Sequence, residues 1–213
     1  MEEKSYPCDH VVPIEQEPRH HLVIANEFVR GFAVEIAPHE RTLCHHHANP
    51  YLMYVAGDAE IVSAPRDGTP KTHSYRDGDC ELSTEGLVHV VENLTDAKFR
   101  NLLVELLPGL GDARRGADPK IVSGEATIIP RFADERVSVF LLEMRTGSQL
   151  EICGPAIVAS PYENEVELAT SGTIARTLKQ FTELSWLGPY TAATLHNRAD
   201  RPAKVVLIAV GRR

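Results

Sequence analysis

The sequence predicts an all-β protein made of two copies of one barrel-forming unit. Three observations predict it. Short apolar runs bounded by Gly, Pro, Asn and Asp recur every eight to twelve residues or so, the spacing of strands in sandwiches and barrels. Helical periodicity is weak throughout. The pattern of the first half also begins again after residue 119.

Along the chain, residues 21–36 read as two short strands around Asn26-Glu27. Residues 51–56 form an apolar run closed by Gly57-Asp58, and 59–64 alternate up to Pro65-Arg66-Asp67-Gly68. Strands over 87–91 and 99–107 follow, with a turn at 93–97 between them. Pro108-Gly109-Leu110-Gly111-Asp112 breaks the pattern, and the polar stretch after it reads as a linker. The second half then repeats the first. Val29 falls on Val137, Glu35 on Glu143 and His39 on Gly147 at one offset. Near the end of each half, the turn beginning at Asn93 resembles the one beginning at Asn197, and each leads into a final apolar strand.

Composition narrows the function classes. With 43% hydrophobic and 24% charged residues, the 213-residue chain has the make-up of a soluble globular protein. Its net charge of -8 and the absence of a basic run argue against a nucleic-acid partner. No apolar stretch approaches the roughly 18 residues of a membrane helix, so no membrane partner is expected. Residues 1–10 are charged and do not read as a signal peptide. Cys8, Cys44, Cys80 and Cys153 form no CxxC pair or dense disulfide framework, and a reduced, cytoplasmic setting is expected.

The chemistry concentrates in the first half. Three histidines stand at 45–47, just before an apolar strand. Alternate side chains of a strand share a face, so His45 and His47 point one way and His46 the other. Two imidazoles on one face chelate a divalent ion such as Fe, Zn or Ni. A polar turn holding the three histidines is the competing reading. A third ligand has to come from elsewhere in the chain.

Residues 78–93 contain Gly78, Gly86, His89 and Asn93 at a spacing that resembles the second motif of the cupin superfamily, with Thr84 in that motif's proline slot. The family's first motif is matched by His45, His47 and the closing Gly57, with His39 replacing its opening glycine. The resemblance implies a double-stranded β-helix, or jelly roll: two cupin barrels in tandem. It also implies His89 as the third ligand. The family's glutamate ligand is missing, its slot falling near Pro50 or Tyr51. The resemblance therefore implies a three-histidine site, as in thiol dioxygenases and diketone-cleaving dioxygenases of this family.

The expected organisation is an N-terminal arm over 1–21, a metal-binding barrel over 22–112, a linker over 113–119 and a second barrel over 120–213 without a metal site. Carried across the repeat, His45 meets Cys153, His47 meets Pro155 and His89 meets Ala193. Asn49, Tyr51 and Asn93 are candidates to support the metal or its ligand. Leu43, Leu52, Tyr54, Leu82 and Val91 are candidates to line or back the cavity. His20-His21 reads as the exposed lead into a strand, and His39 as a turn residue. Three functions remain open: an iron dioxygenase acting on a small organic acid, thiol or diketone; a non-catalytic small-ligand binder; and a Zn or Ni Lewis-acid isomerase or lyase. An anionic bidentate small molecule is the expected partner, and barrel edge strands make a homodimer the expected assembly.

Overall fold

The computed structural model describes residues 5–112, 120–123, 125–162, 164–171 and 175–211. The expected linker, 113–119, lies outside these residues. By internal contacts the chain divides into two compact units: Met1–Leu22 with Arg30–Leu107, and Val23–Val29 with Pro108–Arg213.

The first ten strands are β1 (Val12–Pro13), β2 (His20–Ala25), β3 (Val29–Ile36), β4 (His45–His47), β5 (Tyr51–Ala56), β6 (Ala59–Pro65), β7 (Lys71–Tyr75), β8 (Cys80–Ser83), β9 (Leu87–Asn93) and β10 (Phe99–Leu106). They form two five-stranded sheets, in the orders β1-β4-β9-β6-β7 and β2-β3-β10-β5-β8. The next ten are β11 (Lys120–Ser123), β12 (Ala126–Ala133), β13 (Val137–Met144), β14 (Gln149–Cys153), β15 (Ala156–Ala159), β16 (Val166–Thr170), β17 (Arg176–Leu178), β18 (Leu184–Leu187), β19 (Ala192–Asn197) and β20 (Ala203–Val210). Their sheet orders are β11-β14-β19-β16-β17 and β12-β13-β20-β15-β18. Adding ten to each strand number of the first pair of sheets gives the second pair. The duplication is therefore one of topology, and each copy is an all-β jelly roll.

Each core follows from strand alternation. In the first copy, Phe32, Val34 and Ile36 of β3, Val55 of β5, Ile61 of β6, Val91 of β9 and Phe99 and Leu103 of β10 pack into one cluster drawn from both sheets. In the second copy the corresponding space is filled by residues such as Leu142, Leu150, Ile152, Leu195, Val205 and Leu207.

The turns repeat as well as the strands. Asn93 is fully buried, and its Nδ2 donates to the carbonyls of Ile36, Ala37 and Ala97 while its Oδ1 accepts from Thr95 N–H. Asn197 does the same with Met144 O, Arg201 O and Ala199 N–H. Asn93 is thus the clamp of a turn, a correction to its expected place beside the metal ligands. His39 and Gly147 both have positive φ, 57° and 73°, so the residue aligned with glycine takes the same left-handed turn. Its exposed ring pairs with Asp96 at 2.8 Å.

Two cysteines depart from expectation. Cys8 and Cys44 form a disulfide across 36 positions of sequence. β1 runs parallel to β4, with Val12 paired to His45 and Val12 N–H donating to Cys44 O at 3.0 Å, which brings the two residues together. Distant pairing of this kind leaves no spacing signature. It also removes the basis for the reduced setting that the cysteine spacing suggested. Cys80 and Cys153 are thiols, and Cys80 Sγ–H donates to Gly78 O at 3.6 Å.

Candidate metal centre

Three short strands bring the histidines together. In β4, His45 and His47 are buried while His46 is exposed, the alternation of a half-buried strand. β4 pairs antiparallel with β9, and His45 lies directly opposite His89, so the two rings share a face. The motif glycines set this approach. Gly78 turns with φ 86°, a conformation glycine takes freely. A Cβ on Gly86 would lie 2.6 Å from His47 O, so only glycine lets β9 pass the backbone of β4 this closely.

The ligand atoms converge. His47 Nε2 lies 3.0 Å from His45 Nε2 and 3.2 Å from His89 Nε2. His45 Nδ1 lies 2.9 Å from Leu43 O. A carbonyl only accepts, so that nitrogen carries the proton and Nε2 presents a lone pair. His89 Nδ1 lies 2.9 Å from Ser63 Oγ. His47 Nδ1 is buried without a hydrogen-bond partner among the described residues, and the ring stacks on Tyr51 with centroids 4.4 Å apart. Burial, reinforced by the neighbouring imidazoles, holds all three well below the ordinary histidine range, His45 at about 4. They are neutral near pH 7, the state that binds metal.

A fourth histidine joins them. His20, at the start of β2, is buried, and its ligand nitrogen lies within 4.8 Å of those of His45 and His47. Its ring centroid is 4.7 Å from that of His45. Behind it stands Glu17, at the end of the 3-10 turn Ile14–Gln16 and fully buried. Glu17 Oε2 accepts from His20 Nδ1–H at 2.7 Å and from Arg19 N–H at 2.8 Å, and Oε1 accepts from Leu43 N–H at 3.2 Å. Burial raises the Glu17 carboxyl, but His20 and these backbone donors outweigh it and hold it at about 2. Glu17 is thus an anion that orients His20, the carboxylate–histidine arrangement common behind metal ligands. His20 is therefore no exposed lead into a strand. The signal for it was weak: a histidine beside another histidine, 25 positions before His45.

The donor set fits a divalent metal. Metal–nitrogen bonds of roughly 2.0–2.1 Å place cis ligands about 2.9–3.4 Å apart, depending on the coordination angle. The separations of 3.0 and 3.2 Å fall in that range. With His45 locked as an Nδ1 donor, its Nε2 lone pair faces the other imidazoles, an arrangement a cation stabilises.

A cavity of about 80 Å³ opens beside the cluster, with His20, His47 and His89 in its wall. Tyr51 and Val91, both expected near the site, line it. Leu43, Leu52, Tyr54 and Leu82 do not. Leu43 is 45% exposed, because the chain ahead of β4 breaks alternation and turns the Leu43 carbonyl, not its side chain, toward His45. Tyr51 and Met53 of β5 and Glu81 of β8 face the cavity, so Leu52, Tyr54 and Leu82, each one residue out of phase, face the other side. Asn49 is also absent from the wall, and its Nδ2 donates to Glu105 Oε2 at 3.4 Å.

The positions of the second copy that correspond to the four histidines hold no histidine. Asn93 N donates to Glu40 O as Asn197 N donates to Ser148 O, which keeps the repeat offset at that turn. Beyond it, His45 pairs with His89 as Ile152 pairs with Ala193. Arg41 bridges Glu92 as Gln149 pairs with His196, and Thr42 N–H donates to Val91 O. The one extra residue of the first copy therefore lies at Leu43-Cys44, and His45 corresponds to Ile152 rather than to Cys153. By the same ladder His47 corresponds to Gly154 rather than Pro155. His20 corresponds to Ile128, since Glu35 and Glu143 occupy matching sites in β3 and β13. Ile128, Ile152, Gly154 and Ala193 offer no metal donor.

No protein-family model matches the sequence, and no curated protein matches it. Solved structures match the fold. AerE from Microcystis aeruginosa aligns at a TM-score of 0.60 and 10% identity over 91% of this chain and 98% of its own. Oxalate decarboxylase from Lactobacillus farciminis, in a formate complex, aligns at 0.60 and 14% identity over 92% and 85%. Salicylate 1,2-dioxygenase from Pseudaminobacter salicylatoxidans aligns at 0.60 and 11% identity over 90% and 76%. At these identities the likeness is one of fold: the chain consists of two tandem cupin barrels.

Proposed function

We propose that the first barrel is a mononuclear metal centre held by His45, His47 and His89, with His20 as a fourth imidazole. We further propose that the protein is a metal-dependent enzyme acting on a small organic molecule, in its sharpest form an iron dioxygenase. The convergence of the Nε2 atoms at 3.0 and 3.2 Å carries the reading. A bound divalent ion would supply a Lewis-acidic centre and, in the case of iron, redox activity toward oxygen.

The chain's own residues do the rest. Leu43 O and Glu17 fix the rings of His45 and His20, and Tyr51 holds the plane of His47. Val34, Ile36, Met53, Phe99 and Leu103 give the cavity apolar walls that limit water. Its small volume suits a small organic acid, thiol or diketone. The imidazoles of His45, His47 and His89, held neutral by burial, bring no charge of their own to the ion, which favours an anionic bidentate ligand. A second reading, Lewis-acid isomerisation or lyase chemistry, draws on Glu81, which lines the cavity and accepts from Tyr75 O–H at 2.5 Å. That pair supplies the proton-handling group such chemistry needs.

Elemental analysis of untagged protein beside a His45/His47/His89→Ala variant tests the site. About one iron per chain, lost in the variant, with oxygen uptake on small acids, thiols or diketones, is expected. Turnover with Zn or Ni in the absence of oxygen would replace the dioxygenase reading by the second. No metal after reconstitution would overturn both.

A further inference from the structure

Asn101 is not one of the clustered histidines, yet it puts a buried amide into the cavity wall. It lies in the middle of β10, 3% exposed, and lines the cavity between Phe99 and Leu103. Its Oδ1 is buried without a hydrogen-bond partner among the described residues. Two hydroxyls of the wall are engaged, Ser63 Oγ with His89 Nδ1 and Tyr75 O–H with Glu81. An unpaired buried amide disfavours folding by roughly tenfold or more, and such groups are rare in folded proteins.

The second barrel serves as an internal control. β10 and β20 are both eight residues long, and the offset that places Asn93 on Asn197 places Asn101 on Val205. Val205 is fully buried in the apolar core of the barrel without metal donors. The fold thus accepts an apolar residue at this position. The barrel that carries the histidine cluster has an amide there instead.

We propose that Asn101 is the specificity-determining residue of the first barrel, hydrogen bonding an uncharged polar group on a small chelating substrate. The inference rests on the metal-centre reading for the chelating end. The wall, among the described residues, contains no lysine or arginine, and it includes the carboxylate of Glu81. A second carboxylate on the ligand would be buried without a counter-charge. An amide can instead donate to and accept from a hydroxyl or carboxamide. The substrate class is a small monoanionic chelator with a neutral hydrogen-bonding tail, small enough for a cavity of about 80 Å³.

The test uses zinc-loaded wild type and Asn101→Val, titrated calorimetrically with three probes that share an α-hydroxy acid head. These are 2-hydroxybutanoate with an apolar tail, malate with a charged tail, and the distal monoamide of malate. In wild type the monoamide is expected to bind about fivefold to tenfold tighter than either other probe. In Asn101→Val that preference disappears, zinc content stays equal, and the metal-free variant melts above metal-free wild type. No preference in zinc-loaded wild type, or one that survives the substitution, overturns the proposal. A variant that melts lower or fails to fold also overturns it, since the amide would then have a structural task. Failure of wild type to take up zinc is a separate result: it overturns the metal-centre reading and, with it, the chelating half of the proposed substrate.

Discussion

Single residues decide whether the histidine cluster is a metal centre or a polar core. Leu43 O fixes the tautomer of His45, and Glu17 does the same for His20 through a buried charge-assisted hydrogen bond at 2.7 Å. Glu17→Gln removes the charge while keeping the shape. Its expected effect is a loss of roughly ten- to a hundredfold in metal affinity with the fold intact, read by competition with a coloured chelator; unchanged affinity would place His20 outside the ligand set. His45, His47 and His89 were legible from strand alternation and motif spacing. His20 was not, because its partners come from a different sheet and no local pattern marks it. Asn101 was hidden for a related reason: an asparagine in an apolar strand carries no message until the strand's inward face is known.

At the scale of elements, phase matters more than composition. The strands over 51–56 and 59–64 were legible almost to the residue, because runs closed by turn residues bound them. The face each strand presents was less so. Choosing Leu52, Tyr54 and Leu82 beside Tyr51, and not Met53 and Glu81, as cavity candidates is a one-residue slip, which reverses every side chain of a strand. The extra residue at Leu43-Cys44 has the same consequence, moving His45 from Cys153 to Ile152 in the comparison of repeats. The approach of β4 to β9 depends on Gly86, where a Cβ would meet His47 O at 2.6 Å. Gly86→Ala forces the two strands apart and is expected to cost about 1–3 kcal/mol and to weaken metal binding. Urea unfolding and metal titration of the variant check both; wild-type values in each would show that the close approach is not needed.

For the molecule as a whole, duplication followed by divergence explains the pattern. Both copies keep the sheet order, the asparagine-clamped turn and the positive-φ turn at His39 and Gly147. One copy keeps buried histidines beside a cavity, and the other fills the same space with aliphatic side chains. The tandem architecture was legible because topology follows from the order of strands and turns. The Cys8–Cys44 disulfide was not, since parallel pairing of β1 with β4 joins positions far apart in sequence. On the proposed reading, one ion per chain bound through nitrogen is expected for the whole protein. X-ray absorption spectroscopy on the metal-reconstituted chain tests it most directly. The expected spectrum comes from about one ion per chain, with a nitrogen or oxygen shell at roughly 2.0–2.2 Å, the outer-shell scattering of three or four imidazoles and no sulfur. Two ions per chain, a sulfur shell from Cys80 or Cys153, or a spectrum without imidazole scattering would contradict the account.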